Sequence, residues 1–234
     1  EKLLSMWLKE RIIQNQSEHT IEAYQRDLTD FFNFCDSKSL ALYDFEASDL
    51  REYLANRVEK DQLSSSSLQR HLTSIRQFMK WAEQGQYLQQ NPSEDFKLKR
   101  QPRPLPGMVD IETVHQILDQ APPDKPIEQQ LWLRDKAILE LLYSSGLRLA
   151  ELQGLMIKDI DFNRQLLRIT GKGNKTRIVP FGQKAKDSLI EWLKIYRIWQ
   201  GEFNLDSAVF ISQRGNRLTP RQIENRVKLQ AQRA

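Results

Sequence analysis

The run Gly146-Leu147-Arg148-Leu149-Ala150-Glu151-Leu152 holds an arginine and a glutamate one helical turn apart, just after Tyr143-Ser144-Ser145-Gly146 interrupts an apolar stretch. A helix that restarts near Leu149 aims its first free N–H groups and its positive dipole end at the space beside Arg148. That is a place for an anion, and a planar guanidinium there can hold two non-bridging oxygens of a phosphate at once. Glu151 is placed to fix either the backbone or the arginine fork. By itself an Arg-x-x-Glu spacing is more often a plain surface ion pair. The segment that follows changes the balance.

Residues 165–170 and 175–180 are short β-rich runs, and Gly171-Lys172-Gly173-Asn174 between them has the composition of a tight hairpin turn. The hairpin carries Lys172 at its tip, with Lys175 and Arg177 on the returning side. From Arg164 to Lys186 there are seven basic residues and no acidic one. A solvated face ordinarily mixes signs, so this run suits a polyanion.

With both segments in view, the sequence resembles the tyrosine recombinases (the phage integrase family), of the bacterial Xer type and nearest its XerC branch. Residues 144–152 and 170–180 carry the resemblance, and residues 17–28 are similar to the opening of that family's core-binding domain. The resemblance implies a mainly α fold with a small antiparallel β-sheet, arranged as a two-domain DNA clamp. Its parts would be a helical core-binding (SAM-like) domain over residues 1–96, a basic proline-rich linker over 97–107, and an α+β catalytic domain over 108–234. It also implies DNA cleavage and rejoining with no metal or other cofactor. A tyrosine attacks the scissile phosphate and forms a 3′-phosphotyrosyl bond, Arg148 holds the non-bridging oxygens, Lys172 protonates the departing 5′-oxygen, and Glu151 supports the Arg148 turn.

The family's His-x-x-Arg motif and nucleophilic tyrosine have no counterpart up to Ala234. His19, His71 and His115 all precede Arg148, and the last tyrosine, Tyr196, shares the apolar stripe of a helix. The missing groups are expected beyond Ala234, and the 234 residues alone are expected to be inactive. The partners implied are a double-stranded recombination site, a related recombinase completing a heterotetramer, and a DNA translocase at the division septum. The implied setting is the bacterial cytoplasm beside the nucleoid, and the implied task is resolving chromosome or plasmid dimers. An integrase of the phage or integron type, or a non-catalytic DNA-binding protein, are the alternatives.

Two bodies are needed to position these residues. With 39% hydrophobic and 28% charged residues the composition is globular, and no apolar run reaches the roughly eighteen residues of a membrane span. The net charge of +4 is uneven: residues 1–100 hold 14 basic and 16 acidic residues, the remainder 21 and 15. The second part is therefore the better match for a nucleic acid by charge alone. Cys35 is the single cysteine and reads as a buried apolar residue, which excludes an internal disulfide.

Four amphipathic helices are predicted up to about residue 84, with Ser48 and the serines at 64–67 as N-caps of the last two. Opposite its apolar stripe the last of these presents Arg70, Thr73, Arg76 and Lys80, a face suited to a DNA groove. Asn91-Pro92 ends the bundle, and Lys99 and Arg100 with Pro102, Pro104 and Pro106 form an extended basic connector. In the second part, helices are predicted over 110–120, 131–143 and 183–199, a short strand over 208–211, and a final helix started by Thr219-Pro220. That helix offers Arg221, Gln222 and Arg226 as a second groove-facing surface. Asp159 and Asp161 could suggest metal ligands, but two aspartates this close before a strand usually form a turn, and no third carboxylate cluster follows.

Overall fold

The structure is a computed structural model that describes residues 2–98, 110–171 and 175–234. The chain divides into two compact units, Glu1–Leu105 and Pro106–Ala234. Most of the expected linker, including Lys99 and Arg100, lies outside the described residues.

In the first unit four helices form a bundle: α1 (Lys2–Ile13), α2 (Glu18–Ser37), α3 (Ala47–Asp61) and α4 (Ser65–Gln84). Their apolar stripes meet in a core containing Trp7, Leu28, Phe31, Leu50, Tyr53, Leu72, Ile75 and Phe78, all buried. The core is aromatic at its centre, with Phe31 edge-on to Phe45 and to Tyr53. Rings in this geometry interact favourably beyond the area they bury. Ser17 and Ser64 cap α2 and α4, each accepting from the backbone N–H three residues on at 3.3 Å. Ser48 is not the cap of α3. That helix begins two residues earlier, with Glu46 as N-cap, because the Asp49 carboxylate reaches back to accept the Glu46 N–H at 2.8 Å, and Ser48 is left inside the first turn. Cys35 is buried, with its thiol pushed up to about 12 mainly by burial.

The second unit contains α5 (Ile111–Leu118), α6 (Pro126–Ser145), α7 (Leu149–Gly154), a three-stranded sheet, α8 (Gln183–Gln200) and α9 (Pro220–Arg233). The strands are β1 (Ile160–Asp161), β2 (Leu166–Thr170) and β3 (Thr176–Pro180), antiparallel in the order β1-β2-β3. Thr170 pairs with Thr176 and Leu166 with Pro180, a register that fixes which side chains share a face. Along β2, Leu167 and Ile169 face the core while Arg168 and Thr170 face out. That core joins them to Ile138, Leu141, Leu152, Leu189, Trp192 and Ile223, so the sheet and α7 are seated on α6, α8 and α9.

The strand expected over residues 208–211 does not form. Only the isolated bridges Met156↔Ala208 and Ile211↔Arg217 occur there, since the chain turns back at Gly215, where φ is +82°, before a ladder can extend. Strand β1 was not anticipated: at two residues it is too short for alternation to be visible. The last helix starts as expected, with Thr219 as N-cap and Pro220 in the first helical position. It is held to α6 by Asp135, which is almost wholly buried. The Asp135 carboxylate accepts from Arg134 at 3.0 Å, Arg226 at 2.6 Å and Gln230 at 3.0 Å. No described helix is long and apolar enough to cross a membrane.

Candidate DNA phosphate site

Gly146 ends α6 in the left-handed conformation, φ +61°, which a glycine adopts without strain. The chain leaves that turn so that Arg148 is the residue before α7, with its side chain 79% exposed. Glu151, one turn on, is only 6% exposed. One of its oxygens accepts the Arg148 backbone N–H at 2.8 Å, and the other accepts Arg148 Nη1 at 3.1 Å. The N–H of Arg148 itself is therefore already taken. Its guanidinium is exposed and open to a phosphate.

Glu151 has a second cation. Arg177, on β3, donates from Nη1 at 2.7 Å to one carboxylate oxygen and from Nη2 at 2.9 Å to the other. This is the two-pronged pairing that the planar guanidinium favours. The Arg177 hydrogen bonds, together with those of Arg148, hold the Glu151 carboxyl down at about 2, from an ordinary 4.5. Two guanidiniums share one carboxylate, so the cluster keeps one positive charge, and Arg148 is the member most open to solvent. Arg177, expected as a DNA contact, has its fork paired with Glu151 while its side chain stays 42% exposed. Beside this cluster Gly171 N–H donates to Lys175 O at 2.9 Å and closes the base of the hairpin turn. Lys175 is exposed there, and Lys172 lies outside the described residues.

Arg168 and the two aspartates have structural partners as well. Asp159 accepts from Arg168 at 3.1 and 3.2 Å and from the Met156 N–H at 3.1 Å. Asp161 accepts the N–H groups of Asn163 and Arg164, which makes the turn expected of it. Among the described residues no group of His, Cys, Asp and Glu is arranged to hold a metal ion.

On the first unit, the polar face of α4 is less free than its sequence indicated. Arg70 donates to Asp27, a carboxylate with no exposed surface. The same carboxylate accepts from Ser74 Oγ at 2.8 Å and lies 3.4 Å from His71 Nε2. His71 is buried against the Tyr53 hydroxyl at 3.1 Å, and burial lowers its pKa from 6.5 although Asp27 opposes this. Arg76 turns to the segment after the bundle and donates to the carbonyls of Ser93 at 3.2 Å and Phe96 at 2.5 Å. Both arginines were expected in a groove, and both have protein partners, because the chain from residue 85 to 98 folds back over α4 and Asp27 sits on its inner side. Exposed on that helix are Thr73, Gln77 and Lys80. Asp27 was missed as a structural residue. The available signal was a carboxylate next to Leu28 on the apolar stripe of α2.

On α9, Arg221 and Gln222 are exposed. The amide oxygen of Gln222 accepts the Thr219 N–H at 2.8 Å, so this side chain serves the helix start. Arg226, expected to face a groove, donates to Asp135 at 2.6 Å.

A model of the phage integrase family matches residues 108–234. A model of the phage integrase N-terminal SAM-like domain matches residues 4–86. Tyrosine recombinase XerC of Pseudomonas syringae pv. tomato is 38% identical over 218 residues, which cover 93% of this chain and 70% of the relative. Tyrosine recombinase XerC of Haemophilus influenzae is 36% identical over 222 residues, covering 95% and 72%. Among solved structures, a lambda integrase dimer bound to a COC′ core site has a TM-score of 0.71 at 15% identity, covering 99% of this chain and 80% of that one. The XerH site-specific recombinase bound to its difH substrate has a TM-score of 0.65 at 19% identity, covering 99% and 67%. These last likenesses establish a shared fold: mainly helical, with a small antiparallel sheet. An exposed arginine braced at the entrance of α7, a basic hairpin after it, and relatives of this identity along nearly the whole chain lead to one assignment: the protein belongs to the phage integrase family of tyrosine recombinases.

Proposed function

We propose that the protein is a Xer-type site-specific recombinase that cuts and rejoins duplex DNA through a 3′-phosphotyrosyl intermediate. The observation that carries the proposal is the Arg148 cluster, where a guanidinium 79% exposed stands over a turn braced by a buried glutamate. In this reading Arg148 holds the non-bridging oxygens of the scissile phosphate, where charge accumulates during transfer. Lys172 gives a proton to the 5′-oxygen as the phosphorus–oxygen bond breaks, and the new tyrosyl–phosphate bond conserves the energy needed for rejoining. Glu151 supports the turn and takes no part in bond making.

DNA contacts of the first unit are assigned to Thr73, Gln77 and Lys80, and those of the second to Lys175 and Arg221, with Lys99 and Arg100 added from the sequence. The domain limits proposed are residues 1–96 and 108–234, joined by 97–107. The resemblance supports a related recombinase as heterotetramer partner, a DNA translocase at the septum, dimer resolution as the task, and a cytoplasmic, nucleoid-associated setting.

The test uses a nicked or suicide duplex substrate and the intact recombinase. Lys172→Ala is expected to bind duplex nearly as the parent does and to cleave it about a hundredfold or more slowly, the usual loss for a positioned general acid. A substrate with sulfur in place of the 5′-bridging oxygen needs no protonation on departure and should be cleaved by Lys172→Ala almost as fast as by the parent, while Arg148→Ala stays slow. If sulfur restores neither variant, or both equally, the division of roles is wrong. An intact protein that binds but never forms a covalent adduct would be a non-catalytic DNA-binding protein.

A further inference from the structure

We propose that Arg177 is a positioning residue for Arg148, acting through Glu151, and that it couples the base of the hairpin to the phosphate-holding turn. The inference rests on the reading of Arg148 given above. Its basis is geometric. The Arg177 guanidinium meets both oxygens of Glu151, at 2.7 and 2.9 Å, and the same two oxygens meet the backbone and side chain of Arg148, at 2.8 and 3.1 Å. Glu151 thus has no freedom to rotate without breaking bonds to one element or the other. A Cβ added at Gly171 would lie 3.7 Å from Glu151 Oε1 and 3.8 Å from Arg177 Nη1, so the bridge stands directly against Gly171, the residue before Lys172 in sequence.

Charge supplies a second reason. Were Arg177 absent, Glu151 and Arg148 would form an isolated neutral pair, and the carboxylate would compete with a phosphate for the same guanidinium. With Arg177 in place, the carboxylate is already neutralised and bound on both oxygens, and the positive charge of Arg148 remains available. A lysine could supply the charge but not the fork, since an ammonium cannot meet both oxygens in one plane. This distinguishes the role from that of an ordinary phosphate contact, for which lysine serves.

The experiment compares Arg177→Ala, Arg177→Lys and Arg148→Ala in the intact recombinase, on a normal suicide duplex and on one with a methylphosphonate at the scissile position. The methyl group replaces a charged non-bridging oxygen and so removes the charge Arg148 is there to meet. Misplacing a reacting group by about 1 Å can cost on the order of a hundredfold, and a loss of roughly tenfold to a hundredfold is expected for both Arg177 variants on the normal duplex. Duplex affinity should stay within about twofold of the parent, one phosphate contact among many being the most that could be lost. The methylphosphonate should narrow the gap to the parent for all three variants.

Normal cleavage by Arg177→Ala overturns the inference. So does slow cleavage that the methylphosphonate restores in Arg148→Ala but not in the Arg177 variants, which would mark a purely structural effect. Rescue of Arg177→Ala by lysine together with lost affinity would make Arg177 a DNA contact, and also overturns it. If Arg148→Ala itself cleaves normally, the phosphate-holding reading fails and this inference falls with it. Thermal melts of the variants check that each is folded.

Discussion

Replacing Arg70 with alanine tests whether this side chain belongs to the DNA face or to the fold. Its partner Asp27 has no exposed surface, while the Arg70 side chain is 39% exposed. Removing one member of a fully buried ion pair costs about 3–5 kcal/mol, because the other charge is left without compensation. Here the gap left by Arg70 opens to solvent and Ser74 still donates at 2.8 Å, so water can reach the carboxylate. The expected cost is about 2–3 kcal/mol. For a urea dependence of about 2–3 kcal/mol per molar, the midpoint of the first unit's unfolding should fall by about 1 M. The assay is urea unfolding followed by hydrogen exchange, which reports the amides of α2 and α4 separately from those of the second unit. Lys80→Ala is the control: the side chain is exposed, and its effect should stay within about 0.5 kcal/mol. An Arg70→Ala midpoint equal to that of Lys80→Ala, combined with a large loss of DNA affinity, would refute the reasoning and return Arg70 to the groove.

Two further outcomes are expected. Glu151 has a folded value of about 2 against an ordinary 4.5; because it is depressed, its stabilisation is complete above 4.5 and is lost as pH falls toward 2, so Glu151→Gln should flatten the acid side of the second unit's stability curve by about 1 kcal/mol after screening by solvent. An unchanged acid limb in thermal melts would count against this. Asp135→Ala should leave Arg134 buried without its carboxylate and cost about 3–5 kcal/mol, with α9 exchanging its amide hydrogens well before α6. Joint exchange of the two helices would show that apolar packing around Ile223, rather than the ion cluster, holds α9 in place.

The hairpin was legible because its signals are local: β-rich alternation on either side of a glycine turn sets both the strands and the Thr170↔Thr176 register. The entrance of α7 was legible for the same reason, since Gly146 and the Arg148–Glu151 spacing lie within one turn of chain. Four helices in the first unit and the Thr219-Pro220 start of α9 follow from periodicity and capping, which also depend only on near neighbours. Charge placement was not legible in this way. A guanidinium can reach any carboxylate that folding brings near, so Arg70 to Asp27, Arg76 to the carbonyls of Ser93 and Phe96, Arg177 to Glu151 and Arg226 to Asp135 are pairings across 43, 17, 20, 26 and 91 residues. Sequence determined which residues are basic and which helix or strand carries each. Only the tertiary structure decided which of those charges are already bound within the protein, because that depends on which buried oxygens lie within reach once the chain has packed.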